Sequence, residues 1–248
     1  MYRKHFIPLE SNPDVFNELI QRLGASEHLR FEDVYTLDDP QLLPRPALAA
    51  ILVIPTTPKF EAKKAAFEST RFDYAGKGEN EPVIWFKQTI NNACGLYAIL
   101  HALSNGTARQ LINNVATTDS GSLLDRLLLE CIPHSPDERT RILEDSIELE
   151  EAYAAVARKG DSAVPDHAQD EVDFHYICLT SSGDGRLYEL DGDSKGPVSQ
   201  GVNLDPAGDI LGPNGLASIK AHIDHEDNSI GFNLMVLIQD AIRHSDKS

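Results

Sequence analysis

The run Ala47–Pro55, "ALAAILVIP", constrains this chain more than any other stretch. It carries no polar side chain on either parity. Successive residues of a strand point to opposite faces, so a strand built from this run has no face to give to water. It must lie inside a sheet that is covered on both sides. Hydrophobic residues make up 41% of the 248, enough to build such a core.

The covering layers are legible as helices. "ESNPDVFNELIQRLG" (Glu10–Gly24) has Ser11 or Asn12 to cap it, Pro13 for its first turn and Gly24 to stop it. "KFEAKKAAFESTRFDYAG" reads as a charged amphipathic helix ending near Gly76, with "KGENEP" as a loop behind it. Ala93–Ser104 reads as an apolar, buried helix. "GSLLDRLLLECI" is another, "SPDERTRILEDSIELEEAYAAVARKG" is one or two more, and "LASIKAHIDHE" is a late one. Further strands are expected in "FEDVYT", "VDFHYICLT", "GRLYELDG" and "GFNLMVLI". Strands and helices mix along the chain without repeats or low-complexity segments. That predicts a single layered domain over 1–248, α/β or α+β, with a short polar tail at 241–248.

Arg158–Glu171, "RKGDSAVPDHAQDE", is a different kind of segment: Gly, Ser, Pro and charge, with almost no large apolar side chain. A loop of this length is expected to be mobile, either a linker or a lid. The apolar strand that follows needs a partner sheet, so no domain boundary is placed here.

Charge and cysteine content exclude some function classes. The net charge of -17 disfavours nucleic acid and anionic membranes as partners. It suits a basic partner, and it equally suits plain solubility. Cys94, Cys131 and Cys178 are odd in number and widely spaced, with no CxxC, which argues against a disulfide framework or a structural metal site. No secretory leader is read in "MYRKHFIPLESNPDVF", and no run approaches the ~20 apolar residues of a membrane span. Free thiols are thus expected, in a reducing cytoplasmic or nuclear compartment.

The stretch "QTINNACGLYAILHA" (Gln88–Ala102) places one thiol where a polar, amide-rich segment becomes an apolar helix. Cys94 is either one more small buried residue or a thiolate held at a helix N-terminus. A nucleophile needs a base. His101 is seven residues on, on the same helical face but about 10 Å along the axis, too far to share a proton with the sulfur. Most other histidines stand in segments that read as loops, helix surfaces or the tail. His175 is an exception, set among strand formers in "VDFHYICLT". With Ser182, Gly183 and Asp184 as a three-residue turn, Leu179 faces Leu187, Ile177 faces Glu189 and His175 faces Asp191. That gives an imidazole its orienting carboxylate, or simply a cross-strand polar pair. Cys178 falls on the opposite face from His175 and is expected in the core, as is Cys131. The side-chain amide of Gln88 and the backbone N–H of Cys94 are candidate donors to an oxyanion.

These residues resemble the ubiquitin carboxyl-terminal hydrolases, peptidases of the papain-like superfamily. The signature runs Gln, three residues, Asn, a small residue, Cys-Gly, three residues, two aliphatics, His, small, aliphatic, small. It stands here as Gln88, Asn92, Ala93, Cys94, Gly95, Ile99, Leu100, His101, Ala102, Leu103 and Ser104. A strand histidine followed by "LYELDG" is the second signature, and "IPLESNP", "FEDVYTLD" and "GFNLMVLI" also look like family sequence. The interval from His175 to Asp191 looks one residue longer than in close relatives, with the extra residue in "SSGDG". The absence of a long extension after Ile238 resembles the small members.

The resemblance implies an α+β fold with an antiparallel-rich sheet flanked by helices and a knotted backbone. It implies Cys94 as nucleophile, His175 as general base and acid, Asp191 as its orienter and Gln88 as oxyanion donor. It makes Arg158–Glu171 a loop crossing the active site and limiting the leaving group. It implies contacts to ubiquitin, or to a ubiquitin-like modifier, at Pro8, Leu9, Glu10, Asp14 and Asp33, where acids meet a basic C-terminal tail. The acid-rich "DHEDNS" is expected to add to this acidic surface, without a residue-by-residue match. No metal or cofactor and a monomeric state are expected. A non-catalytic ubiquitin-binding protein on the same fold and a Cys-His-Asp acyltransferase are the rival functions.

Overall fold

The computed structural model describes residues 2–112, 121–163, 165–170, 172–205, 208–224 and 231–240. In chain order the elements are β1 (Lys4–His5), α1 (Pro13–Leu23), β2 (Leu29–Asp33), β3 (Ala47–Pro55), α2 (Pro58–Ser69), β4 (Ile90–Asn91), α3 (Cys94–Leu103) and α4 (Gly106–Ile112). There follow α5 (Leu123–Cys131), α6 (Pro136–Asp145), α7 (Ile147–Ala154), β5 (Phe174–Ser181), β6 (Arg186–Leu190), β7 (Val198–Asn203), α8 (Pro213–Asp224) and β8 (Asn233–Gln239).

β3 occupies the predicted bounds and is buried from Ala47 to Ile54. It is third in a six-stranded sheet of order β2-β8-β3-β5-β6-β7, in which every neighbouring pair is antiparallel. β1 and β4 form a separate parallel pair. The two faces of β3 serve two cores. Ala49, Ile51 and Val53 join a large cluster with Phe16, Leu19, Trp85 and α3. Ala50, Leu52 and Ile54 join a smaller one with Ile177, Leu179, Ile219 and Val236. The doubly apolar run is thereby used on both sides, as its composition requires.

Local signals set several boundaries. Asn12 caps α1 by accepting from Asp14 N at 2.9 Å, and Gly24 ends it in the left-handed conformation at φ 82°. The helix therefore starts at Pro13, where the predicted cap and first-turn proline place it. The strand expected in "FEDVYT" runs through Leu29–Asp33 and stops before Val34. Two helices, α6 and α7, fill the long charged segment, separated by Ser146, whose side chain caps α7.

α2 corrects the expectation of an amphipathic helix reaching Gly76. It ends at Ser69 and buries no residue. The cause is composition: Phe60 and Phe67 are its only large apolar side chains, too few for an apolar stripe. α4, β1, β4 and β7 were not expected. β7, "VSQGVN", is a polar edge strand with no apolar alternation to announce it. "DHEDNS" beyond its first residue, the tail 241–248, and positions 164 and 171 of the 158–171 loop lie outside the described residues.

Candidate active site

All ten residues of α3 are buried, and the helix packs on β3 and β5. Cys94 is its first residue. α1, α2, α5 and α7 each begin on a side chain that accepts from the first turn, whereas Ala93, before α3, offers none. The leading N–H groups of α3 and the positive end of its dipole are thus left open beside the thiol. Asn92, just upstream, takes a left-handed conformation at φ 58°. Its Nδ2 donates to Ala168 O at 3.0 Å and Asp170 O at 2.8 Å, tying the 158–171 loop to the start of α3.

His175 is buried near the start of β5, and Nε2 lies 2.7 Å from Asp191 Oδ1. The His175 side chain also stands close enough to Cys94 to interact with its sulfur. Burial alone would push the imidazole pKa down. The Asp191 carboxylate and the Cys94 sulfur outweigh it and hold the pKa above the ordinary value. Asp191 is the mirror case: burial would raise its pKa, but His175 and Lys64 hold it well below the carboxylate range.

The hairpin that brings these two together differs from the expected one by a single turn position. Ser182 N donates to Arg186 O at 2.9 Å, so the three turn residues are Gly183, Asp184 and Gly185. Gly185 sits at φ 83°, the left-handed place that such turns reserve for glycine. The observed partners are Ser181 with Leu187, Leu179 with Glu189 and Cys178 with Leu190. Each predicted pair is therefore displaced by two residues. An even displacement leaves every side chain on its face, so His175 still meets Asp191, along a diagonal instead of directly across. Cys178 is on the other face and fully buried, with its thiol pKa pushed up by burial. Cys131 is likewise buried, its pKa pushed up to about 12.

Asp191 is held at both carboxylate oxygens and at its carbonyl. Oδ1 also accepts from Asp193 N at 2.8 Å, while Oδ2 takes Lys64 Nζ at 2.8 Å and Ser194 Oγ at 3.2 Å. The backbone carbonyl of Asp191 accepts from Trp85 Nε1 at 2.9 Å. Next to it, Gly192 O accepts from Gln88 N at 2.7 Å, and a Cβ on Gly192 would stand 3.0 Å from Gln88 Cβ. The predicted oxyanion donor is therefore tied through its backbone to the loop of the predicted acid. Its Nε2 makes one long bond, 3.3 Å, to Ile90 O, and Oε1 is buried without a partner.

His101 has the separate job expected of it. Its Nε2 accepts from Phe86 N at 2.9 Å, its ring stacks on Phe86, and complete burial pushes its pKa down to about 3.

A groove of about 570 Å³ opens at Cys94. Pro8, Leu9 and Glu10 line it from one side, and Ser162, Ala163 and Pro165 of the 158–171 loop from another. Tyr153 and Tyr176 hold the N-terminal segment, donating to Ile7 O at 2.6 Å and Leu9 O at 2.9 Å. Glu10 is not a free acid: it accepts from Ser162 N at 2.6 Å and Asn12 Nδ2 at 3.1 Å. Asp14 and Asp33 do not line the groove. Asp14 is exposed on α1, and Asp33 reaches the rim only through Asn233 Nδ2 at 3.4 Å. Lys64, Asp193, Ser194 and Trp85 were missed, because nothing local in "KKAAF" or "GDSK" points to a carboxylate far off in the chain.

The sequence profile described as "Ubiquitin carboxyl-terminal hydrolase, family 1" matches residues 6–218. The chain is 35% identical to ubiquitin carboxyl-terminal hydrolase 3 of Arabidopsis thaliana over 237 residues, 94% of each protein. It is 32% identical to ubiquitin carboxyl-terminal hydrolase isozyme L1 of Sus scrofa, across 94% of this chain and 98% of that one. Its fold is similar to that of the Trichinella spiralis UCH37 catalytic domain, solved bound to ubiquitin vinyl methyl ester. The TM-score there is 0.69 at 21% identity, covering 96% of this chain and 98% of that one. On the match of profile and relatives over most of its length, the chain belongs to family 1 of the ubiquitin carboxyl-terminal hydrolases.

Proposed function

We propose that this cysteine-dependent ubiquitin hydrolase cleaves the bond after the C-terminal glycine of ubiquitin through an acyl-enzyme. The observation that carries it is the buried Asp191–His175 pair set beside the Cys94 sulfur at an uncapped helix start. The Cys94 thiolate attacks the glycine carbonyl carbon, and the carbonyl oxygen takes the negative charge. The open N–H groups of α3 and the Gln88 amide face that charge. As the tetrahedral adduct collapses, His175 passes a proton to the leaving amine or thiol. Water then attacks the thioester, His175 takes its proton, and the free carboxylate and thiol are restored. Asp191 keeps the ring turned toward the sulfur throughout.

Pro8, Leu9 and Glu10 form the side of the groove along which a basic C-terminal tail runs, and Asp14 and Asp33 extend the acidic surface beyond it. The 158–171 loop, pinned by Glu10 and Asn92, admits small or flexible leaving groups. A binding-only role would leave one of the catalytic positions unfilled, and here all of them are filled.

The test is a ubiquitin probe with a C-terminal electrophile, run beside a fluorogenic ubiquitin C-terminal amide. Wild type is expected to be labelled and to turn over the amide, and Cys94→Ala to do neither. Labelling that persists in Cys94→Ala would remove Cys94 as nucleophile. Preference for a ubiquitin-like amide over ubiquitin would reassign the substrate.

A further inference from the structure

The Asp191 carboxylate has one oxygen committed to His175. That oxygen also accepts from Asp193 N, and side chains hold the other. Ser194 contributes a hydroxyl at 3.2 Å; the short contact is Lys64 Nζ at 2.8 Å. Lys64 lies on α2, 127 residues upstream of Asp191. On this surface helix the half-buried residues are Phe60, Lys64 and Glu68, spaced four apart on one face. Phe60 packs against the smaller core cluster, and Glu68 accepts from Lys195 N at 2.9 Å. The helix thus docks on the segment after β6 largely through polar groups, with Lys64 in the middle.

The charges explain why a lysine is needed there. Asp191 and Asp193 are two residues apart, and both place a carboxylate oxygen 2.8 Å from the same ammonium. The Lys64 side chain is 15% exposed, and burying an ammonium is costly unless anions surround it. With His175 protonated, charge alternates along the row His175, Asp191, Lys64, Asp193. Without Lys64, two neighbouring carboxylates would face each other across the gap, one of them the partner of His175.

We propose that Lys64 is a positioning residue, which fixes the Asp191 carboxylate in the orientation that holds His175 toward Cys94. Resting on the triad assignment above, this adds a residue that neither the Cys94 signature nor the histidine strand includes. Lys64 acts from behind: neither it nor Asp191 lines the groove at Cys94, and both line a separate cavity bounded by Phe60, Ile177 and His222.

The experiment is a double-variant cycle on the fluorogenic ubiquitin amide, with Lys64→Met, Lys64→Arg, Asp191→Asn and the Lys64→Met/Asp191→Asn pair. Lys64→Met is expected to lower kcat roughly tenfold or more while KM moves less than about twofold, since only a charged hydrogen bond behind the site is lost. Lys64→Arg is expected to recover most of the rate. In the Asp191→Asn background the same Lys64→Met change is expected to have no further effect, because a residue acting through Asp191 has nothing left to act on. A wild-type kcat in Lys64→Met, or an equal loss in both backgrounds, would overturn the proposal. If Asp191→Asn is itself fully active, the triad assignment has failed instead. Should Lys64→Met not fold, Lys64→Gln carries the same cycle.

Discussion

Helices α3 and α2 each deliver one side chain to the His175–Asp191 pair, and they are held by opposite means. α3 buries all ten of its residues, and the sulfur of Cys94 goes where apolar packing sends it. α2 buries none, and it stays where the ion pairs of Lys64 with Asp191 and Asp193 and the bond from Lys195 N to Glu68 keep it. Packing is short-ranged and unforgiving, so it suits a nucleophile that must not wander. Ion pairs at the margin of the molecule can be loosened by salt or substitution without unfolding the core. The attacking atom is therefore set by the core, and the orientation of its base by the periphery.

The comparison is broken most directly by truncation. Leu100→Ala, in α3, is expected to lower unfolding free energy by ~2–5 kcal/mol, because a cavity opens in close-packed surroundings. Phe60→Ala, half-buried on α2, is expected to lower it by only about 1 kcal/mol. Denaturant midpoints of the two variants measure this, and equal losses would show that α2 is packed as firmly as α3.

Acid sharpens it next. His101 in α3 is buried neutral, with its pKa pushed down to about 3 against an ordinary 6.5. Between those values only the unfolded chain takes up the proton, so stability falls as pH drops, by ~1.4 kcal/mol per unit from this one group. His175 has the opposite sign. Its folded pKa is raised, so its contribution is fully present below the ordinary value and fades only as pH climbs through the raised one. Stability measured from pH 7 to pH 5 should thus decline in wild type and decline less steeply in His101→Phe. Parallel curves would mean that His101 is not the group responsible.

Salt gives the smallest effect. Raising it to about 1 M shortens screening to roughly 3 Å, and amide exchange in α2 is expected to quicken by roughly two- to fivefold. α3, which has no ion pair to lose, should not respond. Matching changes in both helices, read by hydrogen-exchange mass spectrometry, would erase the distinction.

Much of this was legible beforehand, for identifiable reasons. "ALAAILVIP" announced a strand covered on both faces because side-chain parity is a property of the backbone. Asn12, Pro13 and Gly24 marked α1 because capping is local. His101 was excluded as the base by helical rise alone. The hairpin was predicted with its turn one residue early, yet His175 and Asp191 still met, since a shift of two preserves the face. Other features left no local trace. β7 lacks apolar alternation, and Glu10 looked like a free acid until the loop at Ser162 folded over it.

Taken alone, then, the sequence determined the longer elements, the doubly covered sheet, the thiol at a helix start and the face shared by His175 and Asp191. All of these follow from backbone periods and from contacts within a few residues or across one hairpin. Only the tertiary structure decided that Lys64 holds the far oxygen of Asp191, that Glu10 and Asn92 pin the loop over the groove, and that Asp14 and Asp33 stand outside it. Those pairings join segments from tens to more than a hundred residues apart. Which of them meet depends on the strand order and on the layer each helix occupies, and no local pattern encodes that.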